Sequence, residues 1–133
     1  MLGNDTVTIF NKLQTGRREY QWKATVIENV HVEYSRGAIL NKYGKDTDNK
    51  VELYLPSEHF TRQKSWIQEK QGFSANEGTD LVWIGSWDGP EWINDADYPA
   101  GFDQHMLETK DDIYRIHTVS LFKLIPHLEI GCG

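Results

Sequence analysis

Apolar and polar residues alternate with period two along most of this chain, and the alternation predicts an ordered series of strands. In Thr6–Leu13, the residues Val7, Ile9 and Leu13 alternate with Thr8, Phe10 and Lys12. Gln14–Arg18 reads as a turn, with Gly16 free to take positive φ. A long strand follows, Trp22–Tyr34. Trp22, Ala24, Val26, Glu28, Val30 and Val32 share one parity, mostly apolar, and that face is expected to point at the core. Glu28 breaks the face and Ile27 sits on the other side. A bulge near Ile27-Glu28 repairs both faults and helps a sheet to curve.

Lys50–Pro56 is a half-buried strand with Val51, Leu53 and Leu55 on one face, ended by Pro56. Thr79–Gly85 carries the buried-looking run Leu81-Val-Trp-Ile84. Asp112–Phe122 and Pro126–Ile130 complete the sheet. One helix is predicted, Thr61–Gln71, with Gly72 as its C-cap. Its apolar content is only Trp66 and Ile67, so it is expected to be short and peripheral. Ser35–Asn49 is polar and reads as an extended loop or hairpin tip, locally basic through Arg36, Lys42, Lys45 and Lys50. Ser86–Lys110 has little regular pattern. Its rings, Trp87, Trp92, Tyr98 and Phe102, are expected to pack on the barrel or on a partner. These elements predict a mainly β chain: a small antiparallel β-barrel with one short helix and long loops, forming a single domain over residues 1–133.

Composition agrees with a folded domain. At 133 residues, 38% hydrophobic and 26% charged, the chain is long and apolar enough to bury a core without disulfides. The single cysteine, Cys132, cannot form an internal disulfide, and no Cys-based zinc pattern exists. A reducing, intracellular setting is the expectation. The first residues lack the basic and apolar regions of a signal peptide, and no apolar run approaches membrane-spanning length. Asn4-Asp-Thr6 matches a glycosylation triplet and reads as chance without such a signal.

Net charge is −6, unevenly spread. Residues 1–76 carry a balance of +2, and residues 77–112 carry −9. That asymmetry suits orientation of one subunit against another and argues against a protein that grips DNA phosphates. A solvated acidic loop is the plain alternative.

No catalytic constellation emerges. His31-Val-Glu33 and His127-Leu-Glu129 have half of a zinc-deaminase signature, but that site needs two cysteines. His31, His117 and His127 lie on predicted strands, where satisfied or exposed histidines are the ordinary case. Asp46-Thr-Asp48 opens like a calcium loop and then lacks its glycine and final glutamate. Glu91, Asp95, Asp97 and Asp103 are acids without a fixed separation, so they define no glycosidase pair. No phosphate loop or nucleophile elbow is present. The expectation is a chain that is not an enzyme, with no catalytic residue, metal or cofactor.

Taken in order, six segments resemble a family of small phage and prophage proteins from Gram-positive hosts that lie among head and neck genes. They are Val7–Lys12; Trp22 with Thr25–Ile27 and Val30; Leu53–Pro56; Thr79–Gly85; Tyr114–Val119; and Pro126–Gly131. The resemblance spans most of the chain and rests on the order of the pieces. It implies a virion structural protein of the neck, a head-completion, stopper or adaptor subunit assembled in the host cytoplasm. Such a subunit forms a homo-oligomeric ring, of roughly six or twelve copies by cyclic closure, between a portal or adaptor ring and a tail terminator or tube. DNA passes its lumen without sequence-specific contact. Expected ring contacts are Arg36, Lys42, Tyr43 and Lys45 on the basic loop of one subunit, and Trp87, Trp92, Tyr98 and Phe102 on the acidic loop of the next. An alternative is a carbohydrate-binding β module with Trp87, Trp92 and Tyr98 as its stacking platform.

Overall fold

The computed structural model describes residues 2–34 and 50–133. Strand β1 (Asp5–Gly16) and strand β2 (Glu19–Tyr34) form a long antiparallel hairpin. The left-handed residue of its turn is Arg18, with φ of 59°, and not Gly16 as the sequence suggested. β3 (Val51–Leu55), β4 (Leu81–Ile84), β6 (Ile113–Phe122) and β7 (His127–Cys132) complete a closed six-stranded antiparallel barrel. Its neighbours run β1-β4-β6-β7-β3-β2 and back to β1. A seventh strand, β5 (Trp92–Asn94), adds to β2 at Gln21–Lys23.

There are two cores rather than one. Val7, Ile9, Ile27, Val30, Val51, Leu53, Leu55, Val82, Ile116, Leu128 and Ile130 fill the barrel, with Phe73 and Cys132. Phe10, Trp22, Ala24, Leu81, Ile93, Phe102, Met106 and Ile113 form a second layer on its outer wall. Register explains the split. Opposed residues of an antiparallel pair share a face. Ile9 opposes Thr25 and Val7 opposes Ile27, whereas Phe10 opposes Ala24. The parity that begins with Trp22 and Ala24 therefore faces the outer layer, and Val26 on that face is 40% exposed.

The expected bulge is present. Two β1 steps, Asp5 to Val7, oppose three on β2, Ile27 to Val30. Asn29 takes the left-handed conformation there, with φ of 62°. The extra residue reverses the parity, so Val30 enters the barrel although it shares sequence parity with the outward Trp22.

Two helices are formed. α1 (Gln63–Glu69) buries Trp66 and ends on Lys70, whose φ of 57° makes it the left-handed C-cap in place of the expected Gly72. Gly72 is also left-handed, with φ of 66°, and its Cα faces the His59 carbonyl so closely that a Cβ has no room, so the position calls for glycine on both counts. α2 (Phe102–Thr109) and β5 arise within the stretch that showed little pattern. α2 buries Phe102 and Met106, one turn apart, against the outer layer. Among the described residues no helix is long and apolar enough to cross a membrane.

Candidate functional site

The β6–β7 hairpin projects apolar side chains into solvent. Its ladder ends at Phe122 opposite His127, and Lys123–Pro126 close the turn. Leu124 is 98% exposed and Ile125 is 72% exposed, although turns ordinarily carry polar residues. Phe122 is also exposed, and its ring stacks on His127 with centroids 4.8 Å apart. Both His127 nitrogens face acceptors: Glu129 Oε2 lies 3.0 Å from Nε2, and the Ile125 carbonyl 2.7 Å from Nδ1. The Glu129 bond and then the Ile125 bond favour the doubly protonated ring, so the His127 pKa is raised. The imidazole thus staples the turn from within while Leu124 and Ile125 remain uncovered.

A groove runs along β2 on the edge away from β1. Two adjoining cavities share Thr25, Val26 and His59. One, of about 470 Å³, is lined further by Ile27, Glu28, Asn29, Pro56, Glu58 and Phe73. The other, of about 480 Å³, includes Lys23, Ala24, Gly72, Trp87, Gly89 and Glu91. The far wall is tied to β2: Lys23 Nζ donates to the Gly72 carbonyl at 2.8 Å and to the Lys70 carbonyl at 3.3 Å. Lys23 is 8% exposed, so its charge is spent on the carbonyls of the chain just past the end of α1.

The residues expected at ring contacts fall in three places. Arg36, Lys42, Tyr43 and Lys45 lie outside the described residues. Phe102 is wholly buried in the outer layer, where it meets Phe10, Trp22, Trp87 and Tyr98. Trp87, Trp92 and Tyr98 are half-buried. Trp87 packs edge-on against Phe10, Trp83 and Phe102, and its Nε1–H donates to the Pro90 carbonyl at 3.0 Å. Its backbone N–H donates to Thr8 Oγ1 at 3.1 Å, so the ring is anchored to β1.

The acids are likewise partly committed. Asp95 Oδ1 accepts the Trp22 Nε1–H and the Phe102 backbone N–H, both at 2.9 Å, and so joins β2 to the start of α2. Asp103 pairs with Arg115 at 3.3 Å. His31 pairs with Glu33 at 3.1 Å, apart from His127 and its Glu129. Among the described residues no group of three or more His, Cys, Asp or Glu is placed to hold a metal ion. Sequence reasoning passed over Leu124 and Ile125. Their signal was two aliphatic residues in a turn, just before Pro126.

No curated protein and no solved structure matches this chain. Residues 2–133 match the model of a family of unknown function (DUF6751), and the chain belongs to that family.

Proposed function

We propose that this chain is a structural subunit that works by docking onto other proteins, as part of the ring at a phage neck that its order of segments implies. The observation that carries the docking reading is the hairpin tip. Leu124 and Ile125 stand uncovered on a turn that His127 ties to the chain's own Ile125 carbonyl and Glu129 carboxylate. Uncovered aliphatic side chains on an ordered turn gain free energy when a partner encloses them. Their own area is small, so the tip serves as an anchor within a wider contact.

The neck setting rests on the resemblance, and the acidic bias of residues 77–112 suits it: carboxylates facing a lumen keep DNA mobile. The test is to purify particles, count copies by mass spectrometry and image the neck by cryo-EM. A ring containing this chain supports the reading. Its absence from mature particles removes the neck assignment. Leu124→Glu together with Ile125→Glu separates docking from setting: the folded double variant should fail to join its partner in either place.

A further inference from the structure

We propose that the free edge of β2 between β5 and β3 is a strand-docking site that takes an extended, basic segment of another polypeptide. This goes beyond the neck assignment and stands without it.

Backbone direction carries the argument. Trp22 pairs with Ile93 of β5, and the Ala24 N–H donates to the Glu91 carbonyl at 2.8 Å. Residues two apart in a strand present their backbone groups to the same edge. The N–H and C=O of Val26 therefore face this edge as well, since the β1–β2 register is regular from Phe10↔Ala24 to Val7↔Ile27. Among the described residues, no main-chain partner meets Val26 there. The chain turns away from β2 at Pro90-Gly89, and β3 joins only at His31. Up to the bulge, the regular part of this edge from Ala24 to Ile27 is about 10 Å long at the ordinary rise of a strand.

That edge forms the floor of the groove rather than an outer rim. His59, Gly72 and Phe73 stand opposite it, and the Lys23 and Thr25 side chains hold the Gly72 carbonyl in place. Unpaired strand edges are ordinarily masked by charge, proline, a bulge or a covering segment. Here the bulge bends β2 only beyond Ile27, and among the described residues the edge at Val26 is recessed and unpaired, which suits β-augmentation over a short stretch. An incoming strand would continue the line of β5 and pair antiparallel or parallel with Val26.

The rim sets the chemistry of the guest. Glu28, Glu58 and Glu91 are exposed along the groove. Among the described residues the one lysine lining it, Lys23, is buried and committed to two carbonyls. An extended guest with lysine or arginine on alternate positions meets those carboxylates, while its other side chains lie along Val26 and Phe73.

The test uses the full chain, isotopically labelled, and an alternating Lys-Val heptapeptide as probe. A saturable NMR titration is expected, with shifts confined to the groove: residues 23–29, 57–59, 72–73 and 87–91. Exchange of the Val26 amide should slow on binding. Two peptide controls should not bind: a Glu-Val counterpart, and a copy N-methylated on consecutive amides, which blocks both of its strand edges. Val26→Pro should weaken binding about tenfold, the order expected for losing one backbone hydrogen bond. Proline is tolerated where the lost N–H faces a free edge. Should that variant fail to fold, Glu58→Lys with Glu91→Lys, both on the surface, should reverse the preference toward the acidic peptide. Equal binding of the acidic or N-methylated peptide overturns the proposal, as do shifts away from the groove or no binding at all.

Discussion

Asn11 and Asp80 meet in the interior: the Asn11 Nδ2–H donates to Asp80 Oδ2 at 2.8 Å, with neither residue exposed. The Asn11 amide also donates to the Ser74 carbonyl at 2.7 Å and accepts the Ser74 N–H at 3.2 Å. Asp80 further accepts the Lys12 N–H at 3.0 Å and the Asn76 N–H at 2.9 Å. Two side chains thus pin the 74–80 segment onto β1. Asp80→Ala leaves one buried and two part-buried donors without their acceptor and is expected to cost about 3 kcal/mol in urea unfolding.

The same carboxyl gives a pH signature. Burial raises the Asp80 pKa, and the hydrogen bonds from Lys12, Asn11 and Asn76 only partly oppose it. A raised pKa means that the folded state holds the proton more tightly than the unfolded chain. The stability it contributes is full below the ordinary value of 3.8 and is lost as pH rises through the folded value. The difference in stability between the natural chain and Asp80→Asn should therefore shrink as pH rises from about 3 toward 7. Urea midpoints at each pH read it, and a difference that grows with pH contradicts the assignment.

Asp95 links the outer layer to the barrel through one oxygen. Asp95→Ala is expected to cost about 2 kcal/mol, because Trp22 Nε1 and the Phe102 N–H lose a shared acceptor. Asp95→Asn keeps an acceptor oxygen and should cost roughly half as much. Urea unfolding followed by tryptophan fluorescence, the summed signal of the five tryptophans, checks both costs.

Asn29 is the left-handed residue of the β2 bulge. Asn29→Gly should change stability by only a few tenths of a kcal/mol, while Asn29→Val should cost about 1–2 kcal/mol. Thermal melts of the two variants check this, and equal melting temperatures would mean that the bulge relaxes.

Cys132 lies inside the barrel, where burial first and the Glu52 charge second push its thiol up to about 12. At about pH 8 roughly one thiol in ten thousand is ionised. Ellman's reagent should leave the native protein untouched and titrate one thiol in urea.

The strands were legible because half-buried sheet imposes alternation, and the bulge was legible because Glu28 and Ile27 violated it together. The assignment of faces was harder. Trp22 and Val30 share parity in sequence, yet Asn29 sends them to different cores. α2 left almost no trace: Phe102 and Met106 are its only buried residues, and its N-cap, Gly101, makes no side-chain cap. β5 is three residues long, too short for alternation to register. The groove was illegible for another reason. It exists because β3 and β5 stop short on the same edge, and no local pattern in β2 records where its neighbours end.

The double use of the β1–β2 hairpin also sets how the molecule comes apart. Phe10 and Trp22 serve the outer layer from the back of the strands whose Val7, Ile9 and Ile27 line the barrel. Shedding α2 would wet two large rings that stay fixed on their strands, so the entropy released by its eight residues comes with a loss of burial on both sides of the contact. Opening the barrel would carry away the wall on which α2 rests. Neither layer has a favourable intermediate of its own, and the two are bound to a single melting event.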